Sequence, residues 1–176
     1  HVPLFATLEK EGFKALLEHS EAKYVFVSDK ELVKKVSPLI AEINTLEKIC
    51  SFDEIEGISH WKEIVELGKK NEAKYKSELE IIKNGINAKD CVTLIYTSGT
   101  TGNSKGVMLS HQNLVSNAMA AAQVFQLQPH HRYLSILPIC HVGERMGNYQ
   151  SQYSGCSIYY AESLGSIAAD LLDIKP

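Results

Sequence analysis

The sequence predicts an α/β fold in which a mainly parallel sheet is flanked by helices. The first observation is an alternation along the chain: short apolar runs rich in β-branched and aromatic residues are separated by segments with helical periodicity. The second is the length of 176 residues, which is enough for one domain with a substantial core. The third is the lack of repeats, low-complexity segments and internal linkers in the sequence. Residues 1–176 are therefore expected to form a single α/β unit.

The first half of the chain contains three helical patterns and two apolar runs. Phe13, Leu16 and Leu17 have the spacing of one helical face. Pro38 is expected to break or restart the second helix, because proline lacks the N–H that a helix interior needs. The long third helix carries two charged pairs at i,i+4 spacing, Glu66–Lys70 and Glu72–Lys76. The predicted order is a helix around Phe13–Leu17, a strand over 22–28, a helix from Lys30, a strand over 46–52 and a helix over 61–83 that ends at Asn84–Gly85.

The second half repeats the alternation. The run CVTLIY has the length and β-branched content of a fully buried strand. Ser110 is a plausible N-cap, because a serine hydroxyl accepts a hydrogen bond from an N–H of the first helical turn. Tyr159 and Tyr160 are interpreted as a buried strand end. The predicted elements are strands over 91–96 and 105–110, a helix over 111–125, a strand over 132–137, a helix through 147–153, a strand over 157–160 and a helix from about Ser163.

Composition excludes several classes of function. The apolar fraction of 44% and the charged fraction of 22% are those of an ordinary globular protein. The net charge of −3 and the interleaved lysines and glutamates argue against a nucleic-acid partner. Four cysteines without C-x-x-C spacing indicate reduced, buried thiols rather than disulfides or a zinc site. No apolar run approaches the about 20 residues of a transmembrane helix. We expect a cytoplasmic protein, with peripheral contact to the inner face of a membrane as an open alternative.

A loop rich in glycine, serine and threonine, Thr97–Gly106, follows the apolar run 91–96. In an α/β sheet the ligand lies beyond the carboxyl ends of the strands, and this loop leaves such an end. Its hydroxyls, its backbone N–H groups and Lys105 match a polyphosphate, whose oxygens accept hydrogen bonds and carry negative charge. Gly99, Gly102 and Gly106 allow a close approach to a ligand and positive φ where needed. The alternative is a solvated turn, which the lysine and the preceding strand make less favourable.

Two familiar phosphate-binding patterns do not fit this loop. The Walker pattern requires a glycine five residues after the first one, but Ser104 stands five after Gly99 and Val107 five after Gly102. The dinucleotide fingerprint G-x-G-x-x-G fails because Thr101 follows Gly99 at the second position. A strand rather than a helix is predicted to follow the loop, so the sequence does not assure a helix dipole directed at the phosphate.

The stretch YTSGTTGNSKGVMLSHQNL resembles the phosphate-loop signature of the adenylate-forming enzymes, which include acyl-CoA synthetases, peptide-synthetase adenylation domains and luciferases. The signature reads Y-T-S-G-[ST]-T-G-x-P-K-G, and its one departure here is Ser104 in place of proline. The segment LSILPICHVGERMGNYQSQYSGCSIYYAES is similar to the second family motif, L-P-x-x-H. Its E-R pair and SIYYAES, together with SEAKYVFVSDKEL near the start, resemble the long-chain fatty-acid branch. That branch usually reads H-x-F-E-R, whereas this chain has Gly143 at the aromatic position.

The resemblance implies a reaction in two halves. A fatty-acid carboxylate attacks the α-phosphate of ATP to give an acyl-adenylate and pyrophosphate, and coenzyme A then displaces AMP to form a thioester. Mg²⁺ would bridge phosphate oxygens, and Thr97 is the implied metal contact. His141 matches the family histidine at the acyl and adenylate site and is the implied catalytic residue. The implied phosphate-binding residues are Thr97, Ser98, Gly99, Thr100, Thr101, Gly102 and Lys105.

Other polar residues have structural interpretations. A lone histidine such as His141 is more often a structural residue. Only its position after Leu137–Pro138 favours a functional role. Glu144 and Arg145 are interpreted as an ion pair or a solvated helix face. The pair His130–His131 has no carboxylate or cysteine neighbour in sequence, so no metal is proposed there.

Later family motifs do not occur in residues 1–176: an aromatic-Gly-x-[ST]-E motif, a T-G-D segment, and a hinge with a C-terminal lysine domain. The resemblance therefore implies an internal fragment of the AMP-binding N-terminal domain, with the C-terminal domain absent. Such a fragment is expected to be inactive alone. Two alternatives remain open. One is a non-catalytic nucleotide- or phosphate-binding module, and the other is a structural α/β interaction domain with a vestigial loop.

Overall fold

The structure is a computed structural model that describes residues 1–97 and 104–176. Contacts between Cα atoms divide the chain into two compact units. The N-terminal unit contains Val2 and Leu4–Ile86, and the C-terminal unit contains Asn87–Pro176 with His1 and Pro3. The expectation that residues 1–176 form a single unit of the AMP-binding domain stays a prediction, and each compact unit is described by itself.

The N-terminal unit is an α/β layer built on a short parallel sheet. Its strands pair in the order β1-β2-β3, and both pairs are parallel. The elements in chain order are α1 (Lys10–His19), β1 (Tyr24–Val27), α2 (Lys30–Val36), a 3-10 helix (Ser37–Ala41), β2 (Lys48–Ser51), β3 (Ser59–His60) and α3 (Trp61–Gly85).

One apolar core holds this unit together. The predicted face of α1 is confirmed, because its buried residues are Phe13, Leu16 and Leu17. Pro38 interrupts the helix as predicted. α2 ends at Val36, and a 3-10 helix with proline in its first turn follows. The side chains that form the core are Phe13, Leu17, Val27, Val33, Val36, Leu39, Ile43, Leu46 and Ile49.

Helix α3 ends at Gly85, as the Asn84–Gly85 pair predicted, and none of its residues is buried. The exposed helix that its charged residues predicted is confirmed, but Glu66–Lys70 and Glu72–Lys76 are not among the salt bridges of the described residues. In the part of the chain that the structure describes, the salt bridges on this helix have i,i+3 spacing: Lys69 Nζ lies 2.7 Å from Glu66 Oε1, and Lys83 Nζ lies 2.9 Å from Glu80 Oε1. Side-chain rotamers allow either spacing on a helix surface, so the sequence did not distinguish them.

The C-terminal unit contains two separate pairs of strands. β4 and β5 form an antiparallel pair, whereas β6 and β7 are parallel. The elements are β4 (Cys91–Thr97), β5 (Lys105–Ser110), α4 (His111–Phe125), β6 (Arg132–Ser135), α5 (Val142–Tyr153), β7 (Ser157–Tyr160) and α6 (Ile167–Ile174). The predicted α/β fold with parallel sheets and flanking helices is confirmed.

Several sequence predictions about burial require correction. β4 is not fully buried: it alternates, with only Thr93 and Ile95 buried. Tyr159 and Tyr160 are 41% and 59% exposed, so β7 does not end in a buried pair of tyrosines. Of the four free cysteines, Cys50 is buried as predicted, Cys91 is exposed, and Cys140 and Cys156 are half-buried. Among residues 1–97 and 104–176, no helix is long and apolar enough to cross a membrane.

Candidate functional site

The two residues that flank the predicted phosphate loop in the sequence pair with each other at the end of the β4–β5 ladder. Thr97 ends β4, Lys105 begins β5, and the two residues are direct cross-strand partners. Both are exposed. Directly opposed residues of an antiparallel pair place their side chains on the same face, so a hydroxyl and an ammonium group flank the segment between them. Five predicted phosphate-binding residues lie outside the described residues: Ser98, Gly99, Thr100, Thr101 and Gly102.

The alternation of β4 determines which face carries Thr97. Thr93 and Ile95 are buried, and side chains two residues apart lie on one face of a strand. Thr97 therefore continues that face beyond the buried part of the hairpin.

Gly106 has a steric role in this hairpin. It lies in β5 opposite Tyr96, and a Cβ at Gly106 would lie 3.3 Å from the Tyr96 ring. The glycine therefore leaves room for an aromatic ring that crosses the hairpin. Positive φ is not its role, since the glycines with positive φ in the described ranges are Gly57 and Gly155.

His141 is the N-cap of α5 and is exposed. Its backbone N–H donates to Pro138 O at 2.8 Å, which closes a turn before the helix. The Gly143 N–H donates to His141 Nδ1 at 3.2 Å. In this arrangement the neutral ring carries its proton on Nε2, which is thereby available as a donor. The hydrogen bonds of the described residues do not join His141 to Thr97 or Lys105.

A buried polar network lies next to His141, and the sequence interpretation missed it. Tyr133 OH donates to Glu144 Oε1 at 2.8 Å, and the Leu137 N–H donates to Glu144 Oε2 at 3.2 Å. Glu144 and Arg145 are both buried, so the solvated helix face is wrong. The salt bridges among residues 1–97 and 104–176 do not join these two side chains. Arg145 Nη1 instead donates to Thr93 Oγ1 at 3.1 Å, and its other terminal nitrogen contacts His1 Nε2.

Asn148 extends the network to both parallel strands. Its Nδ2 donates to Ser135 Oγ at 3.2 Å and to Glu144 O at 3.0 Å, and Tyr160 OH donates to its Oδ1 at 2.9 Å. The sequence did carry a signal for this network. Glu144 and Asn148 have the i,i+4 spacing of one helical face. Tyr133, Ser135 and Leu137 are two residues apart in the predicted strand 132–137, which would place them on one face.

Burial makes the phenol of Tyr133 a persistent donor. Desolvation raises the pKa of Tyr133 far above its usual value of 10, and the hydrogen bond to the Glu144 carboxylate raises this pKa further. The phenol therefore stays protonated and donates throughout the neutral pH range.

A cleft of about 450 Å³ lies between β4, α4 and α5. This volume lies in the range that small-molecule sites occupy. Neither Thr97 nor Lys105 lines it. The lining residues are Val92, His111, Leu114, Val115, Ala118, Tyr149, Gln152 and Tyr153.

The remaining histidines contribute no cluster of ligands. His111 is the first residue of α4, as predicted. His130 and His131 contact each other, with ring centroids 4.4 Å apart. In the part of the chain that the structure describes, no group of three or more His, Cys, Asp and Glu side chains is placed to hold a metal ion.

Comparison with known proteins identifies the family. Residues 1–174 match the family described as AMP-binding enzyme. The chain belongs to this family. Its relatives include a long-chain-fatty-acid–CoA ligase of Xenopus laevis, 30% identical over 188 residues, and long chain acyl-CoA synthetase 1 of Arabidopsis thaliana, 28% identical over 194 residues. Each alignment covers 99% of this chain, but only 25% and 28% of the relatives. This member of the AMP-binding family therefore spans about a quarter of the length of the curated relatives it matches.

A solved structure agrees with the fold of this AMP-binding family member. A long-chain-fatty-acid-CoA ligase from Archaeoglobus fulgidus has a TM-score of 0.73 at 20% identity. The similarity covers 99% of this chain and 32% of that one. The prediction of an adenylate-forming fold is confirmed.

Proposed function

We propose that this chain is part of a long-chain fatty-acid–CoA ligase and carries its phosphate-binding loop. The observation that carries the proposal is the pairing of Thr97 with Lys105 across the end of the β4–β5 hairpin, on either side of a glycine- and hydroxyl-rich segment. Membership of the AMP-binding family and the names of the relatives support it. The whole enzyme would use ATP to convert a fatty acid to acyl-AMP, and coenzyme A would then take the acyl group.

In the first half-reaction negative charge develops on the departing pyrophosphate. A lysine ammonium and hydroxyl donors placed around these oxygens stabilise that charge more in the transition state than in the ground state. Lys105 would supply the charge, Thr97 a hydroxyl, and the segment 98–103 further hydroxyls and N–H groups. The antiparallel hairpin would hold the two flanking residues at a fixed separation, so little reorganisation is needed when the charge develops.

Mg²⁺ fits this site only together with the polyphosphate. Thr97 offers one oxygen ligand, whereas its cross-strand partner Lys105 repels a cation. Mg²⁺ in nucleotide sites typically keeps few protein ligands and binds substrate phosphates. Bound there, the ion would neutralise charge on the phosphate oxygens.

His141 would act at the acyl and adenylate end of the site. With Nδ1 occupied by the Gly143 N–H, its exposed Nε2–H can donate to a carboxylate or phosphate oxygen. The turn to Pro138 O and the N-cap position orient the ring.

Titration with pyrophosphate and Mg²⁺, followed by NMR of backbone amides, tests the phosphate loop. The amides of residues 97–105 should shift most, with weak affinity, because few exposed hydrogen bonds offset the entropy of binding. Lys105→Gln should weaken binding severalfold, since the charge on the phosphate loses its partner. Lys89→Gln is the matched control, because Lys89 is an exposed lysine of the same unit outside the loop. Equal effects of the two variants, or shifts that avoid residues 97–105, would contradict the proposal.

A further inference from the structure

We propose that Glu144 is a positioning residue: its buried carboxylate holds the segment Leu137–His141 and thereby orients the His141 ring. The relevance of this orientation to catalysis rests on the proposed function, but the positioning itself does not. Glu144 is 6% exposed and lies in the first turn of α5, three residues after His141.

The carboxylate holds the segment with both of its oxygens. Oε2 accepts from the Leu137 N–H, which lies two residues beyond the last paired residue of β6, Ser135. Oε1 accepts from Tyr133 OH, which lies within β6. One side chain of α5 is thus hydrogen-bonded to the strand and to the loop that leaves it. Hydrogen bonds to a carboxylate are stronger than those between neutral groups, and more so when water is excluded.

Asn148 holds the turn of α5 that carries Glu144. It lies one turn after Glu144 and donates to the Glu144 backbone O at 3.0 Å, while Nδ2 also reaches Ser135 Oγ. Tyr160 of β7 donates to Asn148 Oδ1. The helix is therefore fixed against both strands, and the position of Glu144 follows from these contacts.

The segment between the two attachment points is short. Leu137 is held through its N–H, and His141 is held as N-cap, with its own N–H bonded to Pro138 O at 2.8 Å. Pro138 restricts φ to about −65°. Few backbone torsions remain free between these points, so the Leu137 anchor also limits the orientation of His141.

Gly147 shows how closely this contact is packed. A Cβ on Gly147 would lie 2.1 Å from Tyr133 OH, a distance at which atoms overlap. Because Gly147 has no side chain, the Tyr133 phenol can lie against the helix backbone there. In this position its hydroxyl donates to Glu144 Oε1.

The test uses the complete 176-residue chain and two variants. Glu144→Gln removes the charge and one of the two acceptor oxygens, whereas Tyr133→Phe removes the Tyr133 bond and leaves Leu137 bonded to Glu144. The readouts are hydrogen exchange of the Leu137 amide and the ¹⁵N shifts of the imidazole nitrogens, which report which nitrogen carries the proton. The ring of His111 is the internal control.

Glu144→Gln should accelerate exchange of the Leu137 amide by roughly tenfold, because the one remaining acceptor oxygen is uncharged and can accept from Tyr133 or from Leu137 but not fully from both. It should also move the ¹⁵N shifts of His141 toward a mixture of tautomers, with His111 unchanged. Tyr133→Phe should leave both readouts near their original values. Unchanged His141 shifts in folded Glu144→Gln, or equal effects of the two variants, would overturn the proposal.

The unmodified chain provides an independent check, should Glu144→Gln not fold. A Leu137 amide that exchanges as fast as an open loop in the unmodified chain would also overturn the proposal. The titration with pyrophosphate tests the proposed function separately, because neither Glu144 nor His141 belongs to the β4–β5 hairpin.

Discussion

Two glycines of α5 illustrate how single side chains are restricted in this molecule. At Gly147 a Cβ would lie 2.1 Å from Tyr133 OH, and at Gly143 it would lie 3.3 Å from His141 Nδ1. The first distance requires the phenol or the helix to move, and the second requires a shift of a few tenths of an ångström. A glycine in a helix normally costs stability relative to alanine. At Gly147 the close approach of Tyr133 outweighs that cost.

Gly147→Ala should lower the free energy of unfolding by about 1–3 kcal/mol, because an added methyl group overpacks a buried contact. Gly68→Ala is the matched control, since Gly68 lies in α3 with nothing within 4 Å of the added Cβ. It should raise stability by up to about 1 kcal/mol through helix propensity. Urea denaturation of each variant measures both changes. A Gly147→Ala chain as stable as the original would show that Tyr133 can move away freely.

Glu42 connects α1 to the end of the 3-10 helix. Lys10 Nζ lies 2.7 Å from Glu42 Oε1, and Lys14 Nζ lies 2.9 Å from Oε2. The hydrogen bond from Lys10, followed by that from Lys14, lowers the pKa of Glu42 from 4.5 to about 2. All three side chains are well exposed to solvent, so the contribution to stability is modest and sensitive to salt.

The direction of this contribution with pH follows from the lowered pKa. A carboxyl group whose pKa is lower in the folded chain stabilises the fold above its unfolded pKa of about 4.5, and that stabilisation is lost as the pH falls toward 2. The unfolding temperature of the original chain should therefore exceed that of Glu42→Gln at pH 6, and the difference should shrink between pH 4.5 and pH 2. Glu54→Gln, at an exposed loop position, is the control and should show a smaller difference at pH 6. A difference for Glu42→Gln that persists at pH 2 would contradict this account.

The sequence predicted elements well where local chemistry determines them. Helix α4 begins at His111 after the Ser110 cap and ends at Phe125, as expected, because capping depends only on neighbouring residues. The prediction for β4 failed on burial, because a short β-branched run does not reveal whether one face or both will be covered. The Glu144 network was missed for a related reason. Its partners on β6 and β7 become neighbours only when the strands pair, which the sequence order does not show.

The chain covers 25% of the Xenopus ligase, and residues 1–176 contain neither the aromatic-Gly-x-[ST]-E nor the T-G-D motif. Of the predicted site, Thr97 and Lys105 pair across β4 and β5, and His141 is the N-cap of α5, while residues 98–103 lie outside the described residues. The assignment of those residues to phosphate binding stays a prediction.

The isolated chain should not form an acyl-adenylate. The aromatic-Gly-x-[ST]-E and T-G-D motifs would supply groups that stabilise the transition state. The loss of one donor of this kind costs about 3 kcal/mol. Exchange of labelled pyrophosphate into ATP, dependent on a fatty acid, should therefore remain at background. The amide shifts with pyrophosphate and Mg²⁺ in the same sample are the control, because they show that the chain is folded and competent to bind. Exchange above background would mean that residues 1–176 suffice for catalysis.

The strand pairing favours a particular order of folding. β4 and β5 are consecutive strands of a hairpin, whereas β1 pairs with β2 and β6 pairs with β7 only after an intervening helix. Contacts between near neighbours in sequence form faster, because less chain entropy is lost before they are made. We therefore expect pulse-labelled amides of the hairpin to become protected before those of β7. In this order of folding the pairing of Thr97 with Lys105 forms early, and the packing of α5 that orients His141 forms later.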